Sequence, residues 1–340
     1  MSRVLRAGAL SLRWEPRAVL VCAGLLGLAL GAAVLVVGTG DLPIPVPDVV
    51  RALTGQGGGA TEFIVTTLRL PRAVAGLAAG MALGISGAIF QTITRNPLGS
   101  PDIIGFTTGG ATGALVQILV LGGGALAVAA GSLLGALATA LIVYLIAYRG
   151  GVNAFRLLLV GISAAAMLEA LNGYLITRAE LREAYEAAFW LTGSLSGRGW
   201  DHAAPLAVGV AVLVPMALVL GPHLRMGELG DDAAHALGVP VQRTRAALVL
   251  VGVGLVAAAT AAVGPVPFVA LAAPQLARRL VRRTGPQLVP AGLMGAALLV
   301  IGDLISLRLP IPVPVGVVTG VLGGVYLIWL LAGEERRGRV

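Results

Sequence analysis

Apolar residues in this chain come in blocks of about 20, the length a helix needs to cross roughly 30 Å of hydrocarbon. The blocks fall at 18–38, 72–92, 104–121, 124–148, 155–177, 203–221, 244–263, 266–282, 288–306 and 314–332. Short polar segments separate them, and no Ser- or Pro-rich tether or polar domain intervenes. The pattern predicts an all-α, polytopic membrane protein of about ten transmembrane helices, forming one domain over 1–340. The blocks 104–121 and 266–282 are the shortest or most interrupted.

Block 72–92 carries Gly76, Gly80 and Gly84 at four-residue intervals, then Gly87 and Ala88. This spacing strips side-chain bulk from one helix face and predicts close helix–helix approach. Arg69-Leu-Pro-Arg72 starts the block, and Arg95-Asn-Pro-Leu-Gly ends it.

Composition agrees with the pattern. The chain is 57% hydrophobic and 12% charged, with a mean hydropathy of +0.92, outside the range of soluble domains. All 24 basic residues are arginine. With both termini in the cytoplasm, seventeen arginines fall inside, among them Arg95, Arg149, Arg225, Arg243, Arg245, Arg278, Arg279 and Arg339. Arg51, Arg69, Arg72, Arg178, Arg182, Arg198 and Arg308 fall outside, so the positive-inside rule selects this orientation. The pI of 10.9 therefore reports topology. A nucleic-acid surface needs clustered cations interleaved with stacking aromatics, and that combination is absent.

Two outer loops are long. Segment 39–71 opens with prolines at 43, 45 and 47 and continues as a short surface helix at 48–53. Segment 178–202 holds an interfacial helix near 188–195, with Trp190 and Trp200 at headgroup depth. One inner loop is acidic: Glu228-Leu-Gly-Asp-Asp-Ala-Ala-His-Ala-Leu-Gly-Val-Pro240. Asp231 and Asp232 suit a helix N-terminus, while Ala233, Ala234, Ala236 and Leu237 continue the helix and Gly238 followed by Pro240 ends it. Such a helix, 230–238, is too short to stand alone and too polar for lipid. Docking into a partner at the cytoplasmic face explains it, and a solvated loop with one helical turn is the alternative.

Residues 69–110 and 230–239 resemble, in order and spacing, the permease subunits of the FecCD type, which serve ABC importers of iron siderophores and vitamin B12. Segments 155–163, 263–279 and 314–324 agree with the same family, so the resemblance covers about residues 18–332. Two departures stand out. Gln275 occupies the place of a usual histidine, and Pro312-Val313 replaces a usual Glu-Leu. The motifs at 86–102 and 226–232 are most similar to the second permease subunits of enterobactin-like catecholate importers. They imply a ferric siderophore as cargo, with cobalamin or haem as alternatives.

The resemblance further implies a second permease subunit, alike or different, and two cytoplasmic ATP-binding subunits that use ATP and Mg. It also implies an extracytoplasmic siderophore-binding protein and residence in a bacterial plasma membrane. The coupling contacts would come from Glu228, Asp231, Asp232, Ala233, Ala234, His235, Leu237 and Gly238. Arg69, Arg72 and Arg308 would meet the binding protein at the outer rim, with headgroup anchoring as their alternative role.

No cofactor is expected on this chain, and it is not expected to be an enzyme. Lysine is absent, so an ordinary Walker A motif cannot form. His202, His223 and His235 have no metal-ligand spacing, and the single cysteine, Cys22, allows no intrachain disulfide. Only Glu169 and Asp303 place carboxylates inside the blocks. Each either lines a pathway or satisfies a polar partner, and Asp303 is expected to be wet or to pair with Arg308. An ion-coupled secondary transporter using both is the rival class, but it leaves the acidic inner helix unexplained.

Overall fold

The computed structural model describes residues 3–7, 10–148, 154–311 and 313–337, so Arg149, Arg339 and Pro312 lie outside the described residues. A short antiparallel hairpin, β1 (Arg3–Ala7) with β2 (Leu10–Trp14), precedes the helices and was not expected from the pattern. Fourteen helices follow. They are α1 (Pro16–Gly38), α2 (Val46–Leu53), α3 (Gly59–Phe63), α4 (Leu70–Ile93), α5 (Phe106–Leu119), α6 (Ala125–Ala147), α7 (Ala154–Arg178), α8 (Leu181–Leu191), α9 (Trp200–Gly227), α10 (Asp231–Ala236), α11 (Val241–Val263), α12 (Val269–Val281), α13 (Leu288–Arg308) and α14 (Val315–Arg337). Ile64–Arg69 is a π-helical turn that joins α3 to α4 without a break.

A helix occupies each of the ten apolar blocks, and among the described residues seven helical segments are long and apolar enough to cross a membrane. Two shorter ones have physical causes. Helices α5 and α12 have only 14 and 13 residues, roughly 20 Å at 1.5 Å per residue. Gly105, in a left-handed conformation, delays the start of α5. Phe268, at φ 67°, does the same for α12 after an irregular 264–268 stretch. Such irregular backbone is tolerated at membrane depth only where protein or water covers it, and Val266 is almost fully buried.

Helix α4 is the hub, packing against α9, α11, α12 and α13. Its glycines permit this. A Cβ on Gly80 would run into the carbonyl oxygen of Gly295, and one on Gly84 into that of Ala291, both on α13. The α5–α6 pair uses the same device, with Gly113 against Gly131. Helix α7 sits at the other extreme, with only 11% of its apolar window buried. Its Glu169 is exposed on the surface of this single chain.

Near the end of the bundle opposite most of the arginines, α4 and α13 are joined by a buried ion pair. Arg72 donates through Nε to Asp303 Oδ2 at 2.9 Å and through Nη2 to Asp303 Oδ1 at 2.7 Å. The side chains are 19% and 2% exposed. Asp303 is therefore neither wet nor paired with Arg308, as the sequence suggested; Arg308 lies exposed at the end of α13. Five residues, about 140° of net rotation at 3.6 residues per turn, separate the two positions along α13, and only the inward one faces α4. Removing one partner of a buried pair strands the other charge, which costs about 3–5 kcal/mol. Asp303→Ala should therefore lower thermal stability in detergent by about 3 kcal/mol or more. The double replacement Arg72→Met/Asp303→Leu should recover most of that loss in the same melting experiment.

Candidate functional site at the arginine-rich end

Helix α9 ends at Gly227, and three residues later the chain turns into α10 through Gly230 at φ 109°, a conformation that favours glycine. Asp231 and Asp232 occupy the first turn of α10, where the free amides and dipole favour negative charge. Leu237 and Gly238, the latter at φ 81°, end it. The observed helix, 231–236, is shorter than the expected 230–238 by its two flanks.

Only one side chain of α10, Ala234, is buried, and Val239 just beyond is 5% exposed. Asp232, Ala233, His235, Leu237 and Gly238 all point outward. Leu237 is 61% exposed and Leu229 67% exposed. A six-residue helix with such a small footprint needs something more to hold its position.

Asp231 supplies it. Its Oδ1 accepts Nη2 of Arg95 at 3.1 Å and Nη2 of Arg245 at 2.9 Å, and Arg245 also reaches Oδ2 at 3.1 Å. Arg95 donates in addition to the Gly227 carbonyl at 3.0 Å, so it holds both sides of the Gly230 turn. Arg95 itself adopts φ 50°, an uncommon conformation for a side-chain-bearing residue. The Arg245 side chain, at the start of α11, is only 12% exposed, whereas Arg95 and Asp231 are about half exposed. One carboxylate thus fixes α10 to the turn after α4 and to the start of α11. Glu228, just upstream, faces Arg278 and Arg225; burial pushes its carboxyl up, against the pull of those two cations.

The sequence put Asp231 in the first turn of the inner helix, as a partner of its dipole and a coupling contact, and gave it no arginine partner. Arg95 and Arg245 were read only as inner-face charges. They are separated from Asp231 by 136 and 14 positions, and no spacing rule connects the three.

At the opposite rim, the three arginines expected to act alike differ. Arg69 donates to the carbonyls of Val37 at 3.0 Å and Leu42 at 2.7 Å, tying the end of α1 to the irregular proline-spaced segment that follows. Arg72 is committed to Asp303. Arg308 alone of the three is exposed. Among the described residues no group of three or more His, Cys, Asp or Glu is placed to hold a metal ion.

The fold and this site define a polytopic helical membrane protein that displays a short acidic helix at one end of its bundle. Residues 26–333 match the FecCD transport family, and the chain belongs to that family. It is accordingly a membrane component of a transporter and not itself a catalyst.

Its relatives include the ferric enterobactin transport system permease protein FepG of Escherichia coli (strain K12). That protein is 42% identical over 323 residues, covering 94% of this chain and 98% of the relative. The cobalamin import system permease protein BtuC of Halobacterium salinarum is 35% identical, covering 88% of this chain and 82% of the relative. A solved structure described as an inward-facing conformation of a putative metal-chelate type ABC transporter has a TM-score of 0.83 at 26% identity. It covers 92% of this chain and 99% of its own.

Exposed ion pairs contribute about 0–1 kcal/mol each, so Asp231→Asn should leave global stability nearly unchanged. Local order is another matter. Amides of 234–239 should exchange with deuterium about fivefold faster or more, as expected when roughly 1 kcal/mol of local restraint is lost. Exchange in α4 and α13 should not change.

Proposed function

We propose that this chain is a permease subunit of an ABC importer that carries a ferric siderophore, of the enterobactin-like catecholate kind, by ATP-driven alternating access. The observation that carries the reading is α10. Its inner side is locked to α4 and α11 through Asp231, while Asp232, His235 and Leu237 remain presented at the arginine-rich end. A helix held on one side and bare on the other is suited to receive a push from a partner.

The arginine-rich end faces the cytoplasm in this reading, with both termini there, in a bacterial inner membrane. Two ATP-binding subunits, using ATP and Mg, grip α10 of this chain and its equivalent in a second permease subunit. Nucleotide-driven closure then shifts the bundle ends between two arrangements. A siderophore-binding protein delivers cargo at the opposite rim. We assign the presented guanidinium there to Arg308, with Arg69 and Arg72 shaping the rim from within. A guanidinium at a wet rim sets orientation and on-rate more than affinity.

The ferric cargo is supported by relatives named for ferric enterobactin, achromobactin, ferric citrate and ferric hydroxamate. Cobalamin is the second reading, on the strength of the halobacterial relative.

Cells that depend on this chain should accumulate 55Fe-enterobactin in preference to 55Fe-citrate, a 55Fe-hydroxamate or 57Co-cobalamin. Asp231→Arg, which sets a third cation between Arg95 and Arg245, should reduce that uptake to background with the chain still in the membrane at normal level. Normal uptake by Asp231→Arg would sink the coupling role. Preference for cobalamin would sink the siderophore assignment alone.

A further inference from the structure

The glutamine at position 275, which replaces a usual histidine, lies in a buried polar cluster between α4 and α12. At its centre is Gln91, near the end of α4 and only 2% exposed. Gln91 Nε2 donates to the Leu271 carbonyl at 2.9 Å. Its Oε1 accepts Gln275 Nε2 at 2.9 Å and Arg278 Nη2 at 2.6 Å. Residues 271, 275 and 278 fall on one face of α12, at the i, i+4, i+7 spacing. One side chain therefore binds α12 along two turns. Gln275 Nε2 also reaches the Pro97 carbonyl at 3.1 Å, bringing in the turn after α4 that carries Arg95.

Glu228, three residues before α10, lies against the turn after α12, where a Cβ on Gly285 would stand 3.3 Å from its Oε2, and it attracts Arg278 across the same end of the bundle. Arg279, beside it, lies 6.0 Å from the Tyr326 ring of α14. Hydrogen bonds thus lead from the middle of α12 through Gln275 to the turn after α4, whose Arg95 holds the Gly227 carbonyl and Asp231 on either side of the entry to α10, while the Glu228–Arg278 attraction runs beside them. Apolar packing in a membrane interior resists separation of helices weakly, because lipid offers an equal environment. Buried hydrogen bonds with fixed partners resist relative sliding, since each displaced donor or acceptor is left unpaired.

We infer that Glu228, Arg278 and Gln91 form a joint that makes the α10 segment and the cytoplasmic ends of α4 and α12 move as one piece. Gln91 and Arg278 are positioning residues in this role. Glu228 extends the joint to the partner-facing helix, and Gln275 locks it to the turn after α4. Motion imposed on α10 then reaches the short helix α12 directly. Asp231 restrains the other flank, toward α11. The inference rests on the proposed coupling role of α10.

Spin labels on one chain test it in the complete transporter isolated from membranes, with Cys22→Ala and the partner subunits stripped of exposed cysteines. One label replaces His235 on α10 and the other replaces Thr284, just past α12. Between nucleotide-free and ATP-vanadate states, the separation should change by less than about 2 Å, the size of a small helix shift. In Arg278→Gln, which keeps a donor to Gln91 but removes the charge facing Glu228, it should shift or broaden beyond that on vanadate trapping. Gln91→Leu should do the same, and Gln91→Glu should restore the parent behaviour at Arg278.

A parent separation that itself changes between states, or an Arg278→Gln separation indistinguishable from the parent, overturns the joint. Should Gln91→Leu fail to assemble, Arg278→Gln decides alone. If no ATP-binding subunit co-purifies with the parent chain, the coupling reading of α10 fails instead.

Discussion

Helices in hydrocarbon gain little from burying apolar side chains against one another, because lipid tails are equally apolar. Everything in this bundle depends on how α4 meets that constraint. It touches four neighbours at once, and it does so by removing its own side chains at the crossings. Gly80 and Gly84 bring its backbone against that of α13, where Gly295 and Ala291 lie opposite. Close approach multiplies dispersion contacts that are individually small. A larger residue at either glycine would push α13 away and carry the outer helix α1 with it, since α1 packs on α13.

Polar groups then divide the bundle into a fixed end and an end suited to movement. Toward one rim, the bidentate Arg72–Asp303 pair pins α4 to α13, with Asp303 almost fully enclosed. Toward the other, α10 is held chiefly through the half-exposed Asp231, which reaches Arg95 and Arg245. Enclosed pairs strongly oppose separation, whereas exposed pairs contribute little and exchange readily with water. The arrangement suits a bundle that pivots near one rim while the other moves, as the proposed alternating access needs.

Much of this was legible in the chain itself. The apolar blocks placed ten helices, because membrane depth sets their length. The glycine interval in 72–92 announced a close crossing, because a four-residue period keeps one face clear. The acidic 228–240 loop announced a short helix, because Asp-Asp before alanines and Gly before Val-Pro are start and stop signals in any context. Family resemblance added the transporter class through motifs that the FecCD match bears out.

Other features were not legible, and each for a physical reason. Arg72 and Asp303 stand 231 positions apart, and Arg95 and Asp231 stand 136 apart. Which arginine answers which carboxylate depends on helix rotation, and Arg308, five residues from Asp303 and turned to another face, was not the partner. The three rim arginines looked equivalent as letters and separated only once two of them had found acceptors. Helices α5 and α12 came out short because Gly105 and Phe268 take left-handed backbone conformations that a hydropathy pattern does not register. The sequence alone determined the class, the apolar blocks that became helices and the place of the short acidic helix, since these follow from local periodicity and solvent preference. Tertiary structure alone decided the pairing of buried charges and the hydrogen bonds at Gln91, since a buried polar atom takes whichever partner packing brings within reach.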